Sequence, residues 1–350
     1  MRNTIIIGAG QAGLAASYCL KQAGVPHEVL EAWPRVGDNW RNRWDSLHMF
    51  SPAPYNNLPG LPFPTPRGPM PTKDEAADYL ETYVRHFDLP VSTGVTVTRL
   101  SGRPQAFDLL TSDGPRQARH IIIATGPYRT PRTPAFHTEL HPDITQLHTA
   151  DYRNPAQLPE GPVLVVGCGA SGSQIAAEIA ATHKVYLSGP NPGHAPRSIF
   201  GKDIYWWMTK FGLNRIRRDS WLGRRADARG RKKGDALVGK SLKRIMKENG
   251  ILHRALMTGT ENGLPVFACK ARADDIRSVV WATGYRVDFS WIDFPIFDEE
   301  GNPEHTRGVV EAAKGLYFIG LRFLYRASSA QMGGVGEDAE YLADIISNNK

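Results

Sequence analysis

Cysteine is scarce in this chain. The 350 residues contain only Cys19, Cys168 and Cys269, which lie far apart and form no Cys-x-x-Cys pair. An odd number at this spacing argues against a disulfide framework, and the missing dithiol argues against a redox-active cysteine pair. We therefore expect reduced thiols in a cytoplasmic protein. The sequence contains no cluster of metal-ligating residues, so no metal site is expected.

Long hydrophobic runs are also missing. After Met1 the chain goes directly into Thr4–Ile7, an apolar run too short for a signal peptide or a membrane span. The composition, 41% hydrophobic and 22% charged, is typical of a soluble globular protein with ample material for packed cores. The length suits two ordinary domains.

Acidic residues are outnumbered, 35 against 42 Lys and Arg, and the excess is concentrated in one region. Residues 197–247 hold sixteen basic and four acidic side chains. A solvated insertion is the simplest interpretation; a polyanion, an anionic membrane and a phosphate-rich cofactor are the functional alternatives. No recognised nucleic-acid motif accompanies the basic residues, so nucleic-acid binding is not expected.

Glycine, by contrast, is abundant, and one glycine pattern occurs twice. The apolar run Thr4–Ile7 leads into Gly8-Ala9-Gly10-Gln11-Ala12-Gly13, and the run Val163–Val166 leads into Gly167-Cys168-Gly169-Ala170-Ser171-Gly172. A single G-x-G-x-x-G is weak evidence. Here each copy follows a predicted strand and opens a predicted helix, which is the setting of a Rossmann dinucleotide site.

Each glycine of this pattern has a physical role. The first permits a tight turn, the second lets the backbone approach a pyrophosphate, and the third lets the helix pack closely on its strand. The pyrophosphate then lies at the helix N-terminus, where free N–H groups and the helix dipole favour anions. Two copies therefore predict two dinucleotide sites.

The ends of the next strands distinguish the two sites. His27–Glu31 ends in Glu31, about twenty residues past the first glycines, where a carboxylate accepts ribose hydroxyls and repels a 2′-phosphate. The corresponding strand of the second copy ends in Ser188, and Arg197 follows. The first site therefore suits FAD or NAD. An uncharged residue backed by a cation favours NADPH at the second site, with NADH as the alternative.

A further repeat supports the duplication. Ile121–Gly126 and Ser278–Tyr285 both contain Ala-Thr-Gly, at similar distances after their glycine motifs. We expect an α/β fold with two Rossmann-like dinucleotide-binding domains, the second inserted into the first. The predicted boundaries are 1–155 for the first part of the FAD-binding domain, 156–284 for the inserted NAD(P)H-binding domain and 285–350 for the C-terminal part of the FAD-binding domain.

These residues resemble the flavin-containing monooxygenase family (class B flavoprotein monooxygenases), especially its small bacterial members. The resemblance covers essentially the whole chain and includes Gly37–Arg41, similar to a Gly-Gly-x-Trp segment, and Leu58–Gly60. Of the family's linker fingerprint, F-x-G-x-x-x-H-x-x-x-Y/F, His148 and Tyr152 are present, whereas Pro142 and Ile144 replace the Phe and Gly. Phe50 stands where many members have Asn.

The resemblance implies a mechanism. NADPH, or NADH, delivers a hydride to FAD, and reduced FAD activates O₂ as a C4a-(hydro)peroxyflavin that oxygenates an amine or sulfide. The implied partners are O₂ and a small-molecule substrate, with a homodimer as a possible assembly. The residues assigned to FAD are Gly8, Gly10, Gln11, Ala12, Gly13, Glu31, Trp40, His48, Thr125, Gly126, Gly320 and Gly334. Those assigned to NAD(P)H are Gly167, Gly169, Ala170, Ser171, Gly172, Ser188, Arg197, Thr283 and Gly284, and those assigned to the flavin and substrate pocket are Phe50, Tyr55 and Asn56.

Three other functions use the same sites. An NAD(P)H oxidase or reductase without productive oxygenation is the main alternative, and Phe50 leaves room for it. A disulfide reductase would need a cysteine pair that the sequence lacks. A non-catalytic flavin redox sensor would use the basic segment for docking.

Overall fold

The computed structural model describes residues 2–233, 236–269 and 273–348, apart from the side chains of residue 2 and of residues 230–233. The helices are α1 (Gln11–Gln22), α2 (Asp38–Arg41), α3 (Lys73–Phe87), α4 (Ala170–Ile179), α5 (Ile204–Lys210), α6 (Trp221–Lys233), α7 (Leu242–Asn249) and α8 (Gly336–Asn348). The strands are β1 (Arg2–Ile7), β2 (His27–Glu31), β3 (Val91–Thr93), β4 (Val97–Arg103), β5 (Ala106–Thr111), β6 (Gly114–Ile123), β7 (Thr130–Pro131), β8 (Thr145–His148), β9 (Val163–Val166), β10 (Val185–Ser188), β11 (His194–Ala195), β12 (Ser198–Ile199), β13 (Lys202–Asp203), β14 (Leu237–Val238), β15 (Leu252–Arg254), β16 (Met257–Glu261), β17 (Leu264–Phe267), β18 (Ser278–Trp281), β19 (Tyr285–Arg286) and β20 (Leu316–Phe318).

The first sheet has the order β3-β2-β1-β6-β5-β4, and β20 also pairs with β6. Strands β1, β2, β3, β20 and the end of β6 run parallel, while β4, β5 and β6 form an antiparallel meander. The central strand β1 is buried on both faces: Ile5 and Ile6 are fully covered. Such a continuous β-branched run is what a doubly covered parallel strand requires.

Helices α1, α3 and α8 cover one face of this sheet. A capping box starts α3: the Thr72 hydroxyl accepts from the Glu75 N–H at 3.1 Å, and the Glu75 carboxylate accepts from the Thr72 N–H at 2.9 Å. Tyr79 and Tyr83 of α3 are buried against α1 and α8. The opposite face packs on chain segments from residues 289–297 and 310–324.

The second sheet is wholly parallel, in the order β15-β10-β9-β18-β8. Helices α4 and α7 pack on one face and the β16–β17 hairpin on the other. The expected α/β fold with two Rossmann-like units is confirmed. The domain boundaries stay a prediction. The second sheet takes β8, at Thr145–His148, from ahead of the predicted boundary at residue 156.

The chain passes between the two sheets through a small ribbon. Strand β7 leads out of the first sheet, β19 leads back, and they pair antiparallel, with Pro131 opposite Tyr285 and Thr130 opposite Arg286. Both crossings therefore lie side by side.

The basic segment 197–247 is structured over its described part. It contains the β12–β13 hairpin and the helices α5, α6 and α7. Residues 234–235 and the side chains of residues 230–233 lie outside the described residues. Among the described helices, none is long and apolar enough to cross a bilayer.

Candidate dinucleotide sites

In the first glycine loop, the outer glycines leave no room for a side chain, whereas the middle glycine borders free space. A Cβ on Gly8, which has φ +106°, would lie 2.6 Å from the Ala124 carbonyl oxygen, and one on Gly13 would lie 1.9 Å from the Gly8 oxygen. A Cβ on Gly10 would meet only Asn39 Nδ2, at 3.9 Å. The outer glycines thus allow the turn and the packing of helix on strand, and the middle one borders free space.

The second glycine loop repeats this geometry. A Cβ on Gly167, with φ +117°, would lie 2.2 Å from the Ala282 oxygen, and one on Gly172 would lie 1.9 Å from the Gly167 oxygen. A Cβ on Gly169 would meet nothing within 4 Å. The two loops therefore share both the sequence pattern and the steric reason for each glycine.

Both loops lead into helix N-termini that lack a side-chain cap. Gly10 caps α1 and Gly169 caps α4, and neither helix receives a side-chain capping hydrogen bond. The first N–H groups, from Gln11 and Ala12 in α1 and from Ala170 and Ser171 in α4, are thus left to a ligand or to water. With the helix dipole, this suits a pyrophosphate at each loop.

Glu31 lies where the first loop and the end of β2 meet. One carboxylate oxygen accepts from the Ala9 N–H at 2.6 Å and the other from the Trp33 N–H at 3.0 Å. A carboxylate has about four acceptor positions, so ribose hydroxyls can still bind. The predicted FAD role and the observed bracing of the loop are compatible.

Helix α2, which carries the predicted FAD residue Trp40, borders the first loop through Asn39, a residue that was not predicted. Asn39 is the side chain nearest to Gly10. Trp40 packs on the core of the first domain, and its buried Nε1 has no hydrogen-bond partner among the described residues. His48 is exposed, with Nδ1 at 2.9 Å from the Ser46 oxygen, so its predicted FAD contact would be at the surface.

The three predicted pocket residues lie on one loop but in different environments. Phe50 is 52% exposed. The Tyr55 ring packs on Tyr205 of α5, with centroids 5.5 Å apart. Asn56 is buried, its amide group donates to the carbonyl oxygens of Ser51 and Pro52, and its oxygen accepts from the Ser51 hydroxyl. The Asn56 side chain therefore shapes the loop rather than facing a substrate.

The remaining FAD residues lie around the start of α1. Gly8 packs against Ala124 and Thr125, and a Cβ on Gly320 would lie 2.7 Å from the Cβ of Ala12. The Gln11 side chain donates to the Ala330 oxygen at 3.2 Å. Thr125, Gly126 and Gly320 thus lie near the first glycine loop, and the segment that leads to Gly334 contacts this loop through Ala330.

A cavity of about 470 Å³ opens beside Gly334. It lies between the end of α5 and the start of α8, and both charge signs line it. Its lining residues are Thr209, Lys210, Gly212, Asn214, Arg215, Ser328, Gly333, Gly334 and Glu337.

Two residues predicted to bind the nicotinamide nucleotide, Ser188 and Arg197, instead bond to other groups of the protein. Ser188 is fully buried; its hydroxyl donates to the Ala255 oxygen at 2.7 Å and accepts from the Met257 N–H at 2.9 Å. The Arg197 guanidinium donates to the Phe50 oxygen at 2.6 Å and pairs with Asp203 at 2.9 Å. The structure therefore does not direct Ser188 toward a 2′-phosphate, and it gives Arg197 a structural role that sequence analysis did not foresee.

The linker also contains contacts that were not predicted. Arg43 donates to the Tyr285 hydroxyl, and Thr283 donates to the Arg132 oxygen next to the β7–β19 ribbon. His148 Nε2 lies 3.0 Å from the Gly284 oxygen, and its Nδ1 accepts from the Ala150 N–H. Burial lowers the pKa of His148, and the Arg43 charge adds to this. A neutral His148 thus fixes the end of the second Ala-Thr-Gly.

The cysteines lack the features of a redox pair. Burial raises the pKa of both Cys19 and Cys168 to about 12, so neither thiol ionises near neutral pH. Cys269 is exposed, and all three are free. Over the described residues, no group of His, Cys, Asp or Glu could hold a metal ion.

Comparison with known proteins agrees with this geometry. The family described as pyridine nucleotide-disulphide oxidoreductase matches residues 5–209. The chain belongs to this family. A protein of Geobacillus kaustophilus described as an uncharacterized oxidoreductase, CzcO-like, is 41% identical over 99% of both chains.

Some of the proteins that are similar to this chain are flavin monooxygenases. A solved variant of a flavin monooxygenase from Stenotrophomonas maltophilia superposes with a TM-score of 0.80 at 25% identity, covering 100% of this chain and 99% of the other. A probable indole-3-pyruvate monooxygenase, YUCCA3 of Arabidopsis thaliana, is 28% identical over 98% of this chain and 86% of its own. The protein is therefore an oxidoreductase of the type that uses a flavin and a nicotinamide cofactor, and the resemblance to flavin-containing monooxygenases is confirmed.

Proposed function

We propose that this protein is an FAD-dependent NAD(P)H monooxygenase that oxygenates a soft nucleophile, an amine or a sulfide. The observation that carries the proposal is the pair of glycine loops, each open at its middle glycine and each leading into an uncapped helix N-terminus. One dinucleotide would bind at each loop. The monooxygenases among the relatives support the choice of reaction.

The first loop and Glu31 would hold FAD, and Gly167, Gly169 and Gly172 would position NADPH or NADH. When bound, FAD accepts a hydride and passes electrons to O₂. Disulfide reduction is disfavoured, because the two buried thiols stay protonated and Cys269 is alone at the surface. We place the enzyme in the cytoplasm on the same basis of reduced thiols.

The protein's own contribution would be to shape and shield the flavin side. Asn56 stiffens the 51–56 loop, and Arg197 ties Phe50 to the inserted domain. The cavity of about 470 Å³ beside Gly334 has a size suited to a small-molecule substrate. Excluding water from such a site suppresses wasteful side reactions of reduced flavin with oxygen.

An NAD(P)H oxidase is the second candidate, and one observation favours it. Phe50, where the resemblance to flavin-containing monooxygenases leads us to expect an Asn, is 52% exposed and offers no hydrogen bond from its side chain. The amide of Asn56 does not replace one, because its hydrogen bonds stay within the loop. Oxygen would then leave as H₂O₂.

A stopped-flow experiment distinguishes the two. The purified flavoprotein is reduced anaerobically with NADPH and then mixed with oxygenated buffer containing an amine or a sulfide. A transient single-band spectrum before reoxidation, with formation of oxygenated product, supports the monooxygenase. Direct return to oxidised flavin with stoichiometric H₂O₂ and no oxygenated product contradicts it and favours the oxidase. Purified protein without flavin would overturn both.

A further inference from the structure

Large apolar side chains are exposed in one short stretch of the inserted domain. Phe200 is 92% exposed, Phe211 65% and Trp221 64%, and Leu213 and Leu222 are also exposed. All five lie within 23 residues of sequence. A concentration of exposed apolar groups on a protein surface indicates an interaction site.

Three of the rings in this stretch form an ordered row. Phe200 stands at the tip of the β12–β13 hairpin, and the ring of Trp207 on α5 lies between Phe200 and Phe211, with centroid distances of 6.5 and 5.7 Å. Trp207 Nε1 also donates to the Ile199 oxygen at 2.9 Å. The hairpin and the helix therefore place the three rings side by side.

Helix α5 separates this row from the protein interior. Tyr205 is buried and packs on Tyr55. Trp207 is two residues further on, about 200° around the helix, and Phe211 follows one turn later. The side of α5 opposite Tyr205 thus carries the partly exposed ring of Trp207, and the exposed Phe211 follows just after the helix.

Positive charge flanks the rings. The ammonium groups of Lys202 and Lys210 lie 5.8 and 4.6 Å from the Trp206 ring centroid, and the Arg225 guanidinium lies 5.6 Å from that of Trp221. Residues 197–225 contain eight basic and two acidic side chains. Both acids are in ion pairs, Asp203 with Arg197 and Asp219 with Arg217. The excess charge is therefore positive.

Exposed aromatic rings beside cations match the chemistry of an anionic lipid surface. The rings insert at the level of the head groups, while the long cationic side chains reach the phosphates. We propose that this basic aromatic surface, composed of Phe200, Lys202, Trp206, Trp207, Lys210 and Phe211, docks the protein reversibly on an anionic phospholipid bilayer. Helix α6 extends it with Trp221 and Arg225. The proposal depends on no assignment at the dinucleotide sites.

Vesicle co-sedimentation of the full-length protein tests this proposal. The vesicles are phosphatidylcholine alone or phosphatidylcholine with about 30 mol% phosphatidylglycerol, a content that gives a strongly negative surface. We expect binding to the anionic vesicles and little to the neutral ones, and loss of binding at about 1 M salt, where the screening length is about 3 Å. Absence of binding to anionic vesicles, or equal binding to both kinds, overturns the proposal.

Two double variants locate the surface. Phe200→Ser with Phe211→Ser removes the exposed rings, and Lys202→Gln with Lys210→Gln removes two cations. Each cation near an anionic surface contributes roughly fivefold to partitioning, so the lysine variant should bind roughly 25-fold more weakly. The phenylalanine variant should lose binding by at least tenfold.

Matched controls come from other parts of the chain. Leu110→Ser removes an apolar side chain that is 53% exposed on β5, and Lys314→Gln removes an exposed cation. Both controls should bind like the wild type, and the far-UV circular dichroism spectrum should be the same in every variant. Unchanged binding in either double variant overturns the proposal. So does a single-stranded oligonucleotide that binds more tightly than the vesicles and loses binding with the same variants, since it would make nucleic acid the partner.

Discussion

Arg197 donates a hydrogen bond of 2.6 Å to the carbonyl oxygen of Phe50, joining the inserted domain to the loop that carries the predicted pocket residues. A second guanidinium nitrogen pairs with Asp203 at 2.9 Å, and Met70 Sδ lies 2.9 Å from the third. All three nitrogens of this side chain therefore contact protein groups. The arginine acts as a clamp between loop and insertion.

This clamp predicts the outcome of Arg197→Ala. We expect the apparent KM values for NADPH and NADH to change by the same factor, because the loss loosens the loop rather than removing a phosphate ligand. Steady-state kinetics with both nucleotides measure this. Arg197→Lys serves as the control that keeps the charge but not the forked geometry, and it should lie between Ala and wild type. An increase of tenfold or more for NADPH alone would instead place Arg197 at a 2′-phosphate.

Substitutions at the middle glycines of the two loops should affect the two dinucleotide sites separately. Gly10→Ala adds a methyl group to the free space before α1, at an ordinary φ of −74°, so it should lower FAD content without unfolding the protein. Gly169→Ala should leave FAD content intact and raise the KM for the nicotinamide nucleotide. Flavin absorbance and steady-state kinetics measure both effects.

The third glycines provide the contrast. Gly13→Ala and Gly172→Ala would each place a Cβ 1.9 Å from a backbone oxygen, so we expect a loss of more than about 2 kcal/mol in the free energy of unfolding. Chemical denaturation measures it. Equal stability losses in the middle and third positions would argue that all these glycines serve folding alone.

Glu31→Ala should yield protein with little bound FAD. The substitution removes the predicted ribose acceptor and also the acceptor for the N–H groups of Ala9 and Trp33. Glu31→Gln keeps an acceptor oxygen and should retain more flavin than Ala. The ratio of flavin to protein absorbance after purification measures the effect. Full flavin occupancy in Glu31→Ala would move the FAD site away from the end of β2.

His305 should make the stability of the protein depend on pH. Burial, with a contribution from Arg218, lowers the pKa of His305 from 6.5 to about 4, and Nδ1 accepts the Gly308 N–H at 3.1 Å. Below pH 6.5 the unfolded chain binds a proton that the folded chain excludes until about pH 4. Stability is therefore fully present above pH 6.5 and falls between pH 6.5 and 4.

Urea unfolding at pH 7.5 and pH 5 measures this term. Wild type should lose about 1–2 kcal/mol more than His305→Asn over that interval, since Asn keeps an acceptor but does not titrate. An identical loss in the two proteins would show that other groups carry the pH dependence.

The glycine loops and their strands could be predicted from the sequence because local sterics dictate them. Gly8, Gly13, Gly167 and Gly172 leave no room for a side chain, and the apolar runs before them are buried strands. The engagement of Ser188 and Arg197 could not be predicted. The Ser188 hydroxyl finds its partners at Ala255 and Met257, and Arg197 reaches Phe50 across 147 residues of sequence. Such contacts depend on tertiary packing, which cannot be predicted from the residue type at the end of a strand.

The basic segment 197–247 could also be predicted only in part. Its charge was evident from composition, but its exposed rings were not, because a Trp or Phe on a short helix is usually buried. The orientation of α5, with Tyr205 packed on Tyr55, leaves Trp207 partly exposed and Phe211, just past the helix, 65% exposed.

The β7–β19 ribbon brings together the two points at which the chain enters and leaves the inserted unit. Pro131 and Tyr285 face each other across one strand spacing, about 5 Å, so a short turn would reconnect the chain if everything between them were excised. All strands of the first sheet lie outside residues 132–284, so replacing the unit would keep their order but would break contacts such as that of Arg197 with Phe50. Recombination at this ribbon would therefore have to carry a matching loop around Phe50 and Tyr55 together with the inserted unit.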